Sequence, residues 1–322
     1  MRRRNVLAGL AIALAASGVR GQAPARVARL GVLNFGPAPA PGAPEEPIVR
    51  HLRAIGYVEG RSIAFERRYA GGVPERYPEL AAELLRGTVD VIFAPGSDVA
   101  RAFRDAAPTV PVVFLVSDDP VASGLVQSLA RPGGLFTGIS LMSPELGGKR
   151  LEILAATLPG LRRVAVLHDK GHAFYLAQMR APAEKLGVVV LPIEFAGVPD
   201  FAGAFAAATR EGAQAMFVAP NRFTLFYASR LAALAVEHRL PAIAPYDVFA
   251  DAGGLLSYGP IQDDAVARAA ALIDRILKGA RPADLPVEQP PRIALVVNKR
   301  TANALGLKLP PQLLLQADRV IE

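Results

Sequence analysis

The 322-residue chain contains no cysteine. That absence excludes disulfides, zinc–thiolate sites, iron–sulfur clusters and a cysteine nucleophile. It also excludes a lipid-modified N-terminal cysteine. Catalytic signatures are absent as well: there is no G-x-G-x-x-G, no Walker A loop, no G-x-S-x-G elbow and no H-E-x-x-H. Histidine is scarce, with only His51, His168, His172 and His238. His168 and His172 stand four apart, but Asp169-Lys170-Gly171 between them reads as a loop, which speaks against a metal site on one helix face. His51 and His238 sit beside arginine in helical stretches and are expected to face solvent. The acids Asp118-Asp119 are sequence neighbours, so they do not face each other for general acid–base work. No metal, no cofactor and no catalytic set is expected, and the chain reads as no enzyme. An exported α/β transferase, the enzymatic alternative, would need such a set.

What the chain does have starts at its N-terminus. Met1-Arg2-Arg3-Arg4-Asn5 precedes an uncharged run from Val6 to Val19, and Ala23-Pro24-Ala25 offers a small-residue exit. This is the pattern of a cleavable secretory signal over residues 1–25, with the cut between Gly21 and Ala25. The run is shorter than the roughly 20 residues that span a bilayer, which disfavours an uncleaved anchor. Arg3-Arg4-Asn5-Val6-Leu7 fits the twin-arginine route, and the basic head fits general secretion equally. The formal charge of +7 first suggests nucleic acid. Removing the signal removes Arg2, Arg3, Arg4 and Arg20, leaving 32 basic against 29 acidic residues and a net charge of +3. No run of basic residues interleaved with aromatics remains, so nucleic acid is not an expected partner. No later apolar stretch spans a membrane without charges, Pro or Gly. The expected location is the periplasm, as a soluble monomer without a lipid anchor.

The mature chain alternates short apolar runs with amphipathic segments. Strands are predicted at Arg29–Asn34, Ser62–Tyr69, Val89–Ala94 and Val110–Val116, then at Arg163–Leu167, Val188–Phe195, Ala215–Ala219 and Pro241–Ala244. Continuous rather than alternating apolar runs suit parallel strands covered on both faces. Pro78–Arg86, stopped by Gly87, and Ser229–Arg239 carry helical periodicity. The halves echo each other. Val89-Asp90-Val91-Ile92-Phe93-Ala94-Pro95 parallels Ala213–Pro220, Thr109–Val113 parallels Arg239–Ile243, and Gly133-Gly134-Leu135 parallels Gly253-Gly254-Leu255. The prediction is an α/β fold with two Rossmann-like, parallel-sheet lobes. Both Gly-Gly-Leu segments are candidates for strands that carry the chain between lobes, with glycines able to absorb hinge motion. A third crossing is expected near Pro290-Pro291-Arg292-Ile293-Ala294, with Asn298 capping a helix over Lys299–Leu305. Lobe 1 then comprises residues 26–138 with about 260–290, and lobe 2 residues 139–259 with about 291–322.

In open parallel sheets, ligands bind beyond the carboxyl ends of the strands. The residues at those positions are small and polar: Asn34, Ser97, Ser117 and Asp118 in the first half, and His168, Asp169, Asn221, Arg222, Tyr246 and Asp247 in the second. Several directly precede a helix, whose N-terminal N–H groups favour anions. Capping a helix is the alternative role for Ser97, Ser117 and Asp118. As a set these residues read as the walls of a cleft. Phe35, Phe223, Tyr246 and Tyr258 suggest an aromatic component in the ligand, or else ordinary core or rim packing.

The order and spacing of several segments resemble a known family across residues 27–322. They include Gly56-Tyr57-Val58-Glu59-Gly60, Tyr77–Leu84, Val89–Ile92, Pro111–Phe114, Asp119–Val126, Arg131–Gly134, Gly253–Gly259, Ile276–Gly279, Pro282–Val287 and Asn303–Leu307. The chain is similar to the periplasmic substrate-binding components of ABC transporters, near the tryptophan/tyrosine-type binding proteins. The resemblance implies a type I periplasmic-binding fold with three crossovers, a small-molecule ligand, closure about a hinge, and docking on an inner-membrane ABC permease. It implies ligand contacts from loops matching Ser97, Ser117, Asp118, His168, Asp169, Asn221 and Asp247. The chain departs from the aromatic-binding pattern in its Pro-rich loop Pro37–Pro47, and in Pro220-Asn221-Arg222, which lacks an Asp before the Asn. Arg222 then either pairs with a ligand carboxylate or faces solvent. The expected ligand is an amino acid or an aromatic or organic carboxylate. A sensor that presents ligand to a membrane receptor is the functional alternative. A repressor effector domain would share the fold, but the export signal argues against it.

Overall fold

The computed structural model describes residues 26–141, 146–170, 174–290 and 292–322. The predicted signal segment, His172 and Pro291 lie outside the described residues.

Strands β1 (Ala28–Asn34), β2 (Ile63–Tyr69), β3 (Val91–Pro95), β4 (Val112–Val116) and β5 (Phe136–Ser140) form one sheet in the order β2-β1-β3-β4-β5. The second sheet contains β6 (Arg163–Asp169), β7 (Val189–Phe195), β8 (Ala215–Val218), β9 (Ala242–Ala244), β10 (Leu256–Pro260), β11 (Ile293–Asn298) and β12 (Arg319–Ile321), in the order β12-β11-β10-β9-β8-β6-β7. The run β7-β6-β8-β9-β10 repeats the order of the first sheet, so the sequence echo corresponds to one topology used twice. Helices α1 (Pro47–Ala54), α2 (Tyr77–Arg86) and α3 (Ser97–Asp105) belong to the first lobe. The second lobe carries α4 (Gly147–Thr157), α5 (Phe174–Leu186), α6 (Phe201–Arg210), α7 (Arg222–Phe226), α8 (Ala228–Glu237) and α9 (Asp247–Asp251). Then α10 (Gln262–Leu277) returns to pack on β3, β4 and β5, before α11 (Lys299–Ala304) and α12 (Pro311–Gln316) rejoin the second lobe. No helix of the described residues is long and apolar enough to cross a membrane.

Both faces of each sheet are covered, which explains the continuous apolar runs. In β1, Leu33 faces the core under α2 and α3, while Leu30 and Val32 face the core under α1 and α10. In β8, Met216 and Val218 face α6 and α8, and Ala215 and Phe217 face the core that includes α4 and α5 residues. Each large apolar side chain buried in this way contributes about 1.5–3 kcal/mol. Helix ends follow their sequence signals: Gly87 follows α2, and Asn298 caps α11 by accepting the Thr301 backbone N–H at 3.0 Å.

Parallel sheets are expected from the sequence in both lobes, but the second sheet is mixed. β10 and β11 are antiparallel, with Pro260 opposite Ile293. The reason is connectivity. β10 leaves the lobe at the hinge, the chain builds α10 on the other lobe, and β11 re-enters from the hinge side. Three passages therefore join the lobes: after β5, between β10 and α10, and before β11. The third lies beside the first, where the Ser140 N–H donates to the Glu288 carbonyl and the Glu288 N–H to that of Gly138, each at 2.9 Å. Two expectations about histidine need correction. His51 is half-buried, with Nε2 2.9 Å from Asp263 Oδ1, because α1 packs along α10. His238 ends α8 half-buried, its ring 6.0 Å from that of Phe205.

Candidate functional site

The carboxyl ends of both sheets face one seam between the lobes, and the seam holds two adjoining chambers. The smaller, about 50 Å³, is lined by Pro95, Gly96, Ser97, Leu115, Ser117 and Leu141 of the first half and by Asn221, Arg222, Leu225, Tyr246 and Gln262. The larger, about 390 Å³, is bordered by Ile48, Phe93, Leu115, Leu225, Val248 and Val266, with Asn34, Glu46, Asp247 and Asp263 at its polar edge. Pro95, Leu115, Leu225 and Gln262 border both. The small chamber has room for little more than water, whereas the large one has the size of ligand pockets, about 300–1,000 Å³.

The lobes meet through specific contacts. Ser117 Oγ and Tyr246 OH lie 2.6 Å apart across the seam. Arg222, whose side chain is only 10% exposed, reaches from α7 into the first lobe and bonds Asp98 at the start of α3. Its guanidinium carbon lies 4.9 Å from the Tyr77 ring centre and 5.4 Å from that of Phe35. Burial opposes the charge of Arg222, but Asp98 and Tyr77 outweigh it and hold its pKa above the ordinary value. Burial pushes the Tyr77 phenol up, against the pull of Arg222. Arg222 therefore does not face solvent. Gly96 makes room for it: at φ +130°, an added Cβ would sit 2.5 Å from Arg222 Nη1. Beside the ion pair, Phe35 packs edge-on against Phe223, Phe226 and Tyr227, with centroids at 4.8, 5.7 and 6.2 Å. The apolar core is continuous from lobe to lobe through this cluster.

The polar residues at the strand ends divide by how far they are already engaged. Ser97 Oγ donates to Asp118 Oδ1 at 2.7 Å and accepts the Ser117 N–H at 3.2 Å. Asp118 also accepts from Arg101 Nη1 at 2.6 Å, and Arg101 bonds Asp98. Asp118 thus stands behind Ser97 and holds it, without lining either chamber. Neither Ser97 nor Asp118 caps a helix through its side chain; the N-cap of α3 is Gly96. Asn34 Nδ2 donates to Glu46 Oε1 at 3.1 Å at the edge of the large chamber. His168 is buried at the end of β6, its Nδ1 3.0 Å from the Asp169 carbonyl. His168 and Asp169 line neither chamber. Asp247 accepts the Val248 N–H at 3.1 Å; burial, with Asp251 nearby, raises its pKa.

Three donors around the small chamber are left over. Asn221 Nδ2, Arg222 Nε and Gln262 Nε2 are buried and have no hydrogen-bond partner. The Asn221 assignment is fixed by its other atom, because Oδ1 accepts the Thr224 N–H at 2.8 Å as the cap of α7. Buried donors are rarely left unpaired, since each costs about 1–3 kcal/mol. A group of acceptor atoms in this chamber would satisfy them. The anion-favouring feature is therefore a set of side-chain donors more than helix ends, since α7 and α9 span only five residues each. Gln262 carries no motif. Its only sequence signal is its place, a few residues beyond the Gly253-Gly254-Leu255 segment expected to cross between lobes.

Comparison with known proteins agrees with this architecture. The profile described as ABC transporter substrate binding protein matches residues 31–321. A tyrosine-binding protein of Clostridioides difficile (strain R20291) is 22% identical over 264 residues, 81% of this chain and 75% of that protein. A crystal structure of a conserved domain protein from Vibrio cholerae O1 biovar eltor superposes with a TM-score of 0.82 at 25% identity, covering 92% of this chain and all of that one. A structure of an ABC domain in complex with L-Trp from Streptococcus pneumonia gives a TM-score of 0.80 at 24% identity, with the same coverage. The fold is that of type I periplasmic binding proteins. Members of the matched family bind a small-molecule solute outside the cytoplasm for an ABC transporter, and are not enzymes. With its profile running from the first strand to the last, the chain belongs to the ABC transporter substrate binding protein family.

Proposed function

We propose that this solute-binding protein captures an amino acid with an apolar, aromatic side chain between its lobes and delivers it to an inner-membrane permease. The carrying observation is the group of three unpartnered N–H donors around the small chamber, opening onto the larger apolar one. A carboxylate supplies the acceptors those donors lack, and an aromatic ring matches Phe93, Leu115, Leu225 and Val266. The tyrosine-binding and L-Trp-bound relatives support the same class. Ligand that touches both lobes binds the closed form better than the open one, and that difference drives closure. The mature protein is placed free in the periplasm, after cleavage between Gly21 and Ala25, because no cysteine is present to carry a lipid.

Calorimetry of the purified protein with L-tryptophan and L-tyrosine tests this reading. Saturable binding with a negative heat-capacity change is the expected result, since apolar surface is buried. No binding by any aromatic or aliphatic carboxylate would sink it.

Acid should weaken binding of the amino acid. Glu46 is engaged by Arg67 and Asn34, and Asp263 by Arg50 and His51, which hold its pKa low. Arg319, the cation near Asp247, bonds Asp251 at 2.6 Å. That leaves Asp247 as the carboxylate for a ligand ammonium. An ammonium partner lowers the raised pKa of Asp247, so its contribution is present above the free-protein pKa and is lost as pH falls through the bound-state value. Asp247→Asn, which cannot titrate at this position, should bind L-tryptophan without this loss. Equal pH profiles for the variant and the wild type would exclude Asp247 from the role.

A further inference from the structure

Gln262 opens α10 immediately after β10 leaves the second lobe. Among the four residues that border both chambers, Pro95, Leu115 and Leu225 have no polar side-chain atom, and Gln262 does. Its Nε2 is buried without a partner. The second lobe contributes a matching group to the small chamber, the buried and unpartnered Nδ2 of Asn221. We infer that Gln262 sets ligand specificity: its amide N–H group and that of Asn221, from opposite lobes, hold the two oxygens of one ligand carboxylate at the junction of the chambers. The inference rests on the functional reading above and adds to it the residue that reads the carboxylate.

The chemistry of the pair defines what it accepts. Both donors are neutral, and the nearby cation Arg222 is already bonded to Asp98. A monocarboxylate matches two amide donors; a phosphate ester or a second carboxylate at this point would bring a charge with no counter-ion to spare. Because one donor comes from each lobe, both bonds form only when the lobes are close. Gln262 also begins the helix that follows a crossing strand, so a bond to it ties the ligand to the hinge.

The test uses isosteric exchanges of donor for acceptor, with L-tryptophan and tryptamine as probes. Gln262→Glu places a carboxylate at the first turn of α10, where negative charge suits the helix, and Asn221→Asp keeps the oxygen that caps α7. Thermal melts of the unliganded variants check that each is folded before its affinity is read, since a buried carboxylate costs stability. Calorimetry should show the wild type preferring L-tryptophan over tryptamine. Gln262→Leu should weaken L-tryptophan binding roughly tenfold, the loss of one hydrogen bond. Gln262→Glu should shift the preference toward tryptamine by about 100-fold, through charge repulsion and lost donation. Combined with Asn221→Asp, the losses should fall short of the product of the single effects, because both residues serve one carboxylate. A preference ratio unchanged in Gln262→Glu, in a wild type that binds L-tryptophan, overturns the assignment of Gln262 alone. A wild type that binds no carboxylate overturns the functional reading and this inference with it.

Discussion

Replacing Arg222 with methionine is expected to weaken binding of an aromatic amino acid by about 100-fold or more. Methionine roughly fills the space of the arginine stem, so the loss is chiefly of charge and donors. The guanidinium joins the lobes in three ways at once: it bonds Asp98, and it lies near the faces of Tyr77 and Phe35, rings of the opposite lobe. Its removal takes from Asp98 one of the two arginines that bond it and withdraws the Nε donor from the small chamber. Truncating one partner of a largely buried, hydrogen-bonded charge pair costs several kcal/mol, most of it from the partner left behind. Closure should suffer with affinity. Small-angle scattering at saturating ligand should find a larger radius of gyration for the variant than for the wild type. Unchanged affinity and radius would show that the ion pair is incidental to closure.

The second large effect concerns the crossing strands. Gly138 in β5 and Gly259 in β10 occupy related places in the two lobes, each pressed against a neighbouring backbone. A Cβ on Gly259 would lie 2.0 Å from the Pro245 carbonyl oxygen, and one on Gly138 would lie 2.1 Å from that of Phe114. Backbone cannot yield as a flexible side chain can, so the strands must separate. Gly259→Ala is expected to cost about 3 kcal/mol, a Tm loss of about 5 °C for a chain of this length. Arg150 also lies here, its Nε bonded to the Tyr258 carbonyl at 2.7 Å, so the displacement would reach the hinge end of α4. Gly203→Ala is the control: it is helical with nothing within 4 Å of an added Cβ, and should be neutral or stabilising by up to about 1 kcal/mol. Thermal melts of the three proteins decide it. A Gly259→Ala protein that melts with the wild type would show that β10 can move freely against its neighbour.

These two expectations draw on features that differ in how far sequence reveals them. The strands were readable because burial on both faces leaves a continuous apolar signature, as in Val91–Ala94 and Ala215–Val218. The strand ends could be read as a cleft from topology alone, and the structure brings Ser97, Ser117, Asn221, Arg222 and Tyr246 to one chamber and Asn34 and Asp247 to the other. The direction of β11 was not readable, because it depends on a detour through the opposite lobe. Nor was the partner of Arg222, which lies 124 residues away and across the seam. Gln262 was invisible for a similar reason. A lone glutamine two residues after a proline has no periodicity and no motif, and its role arises only where a crossing strand delivers it between the chambers.

A crystal structure of the protein with L-tryptophan tests the central claim most directly. The expected result places the ligand carboxylate within hydrogen-bond distance of Asn221 Nδ2 and Gln262 Nε2, the ammonium beside Asp247, and the indole between Phe93, Leu115, Leu225 and Val266. A ligand bound elsewhere, or bound in the seam with those two amides still unpartnered, would contradict it.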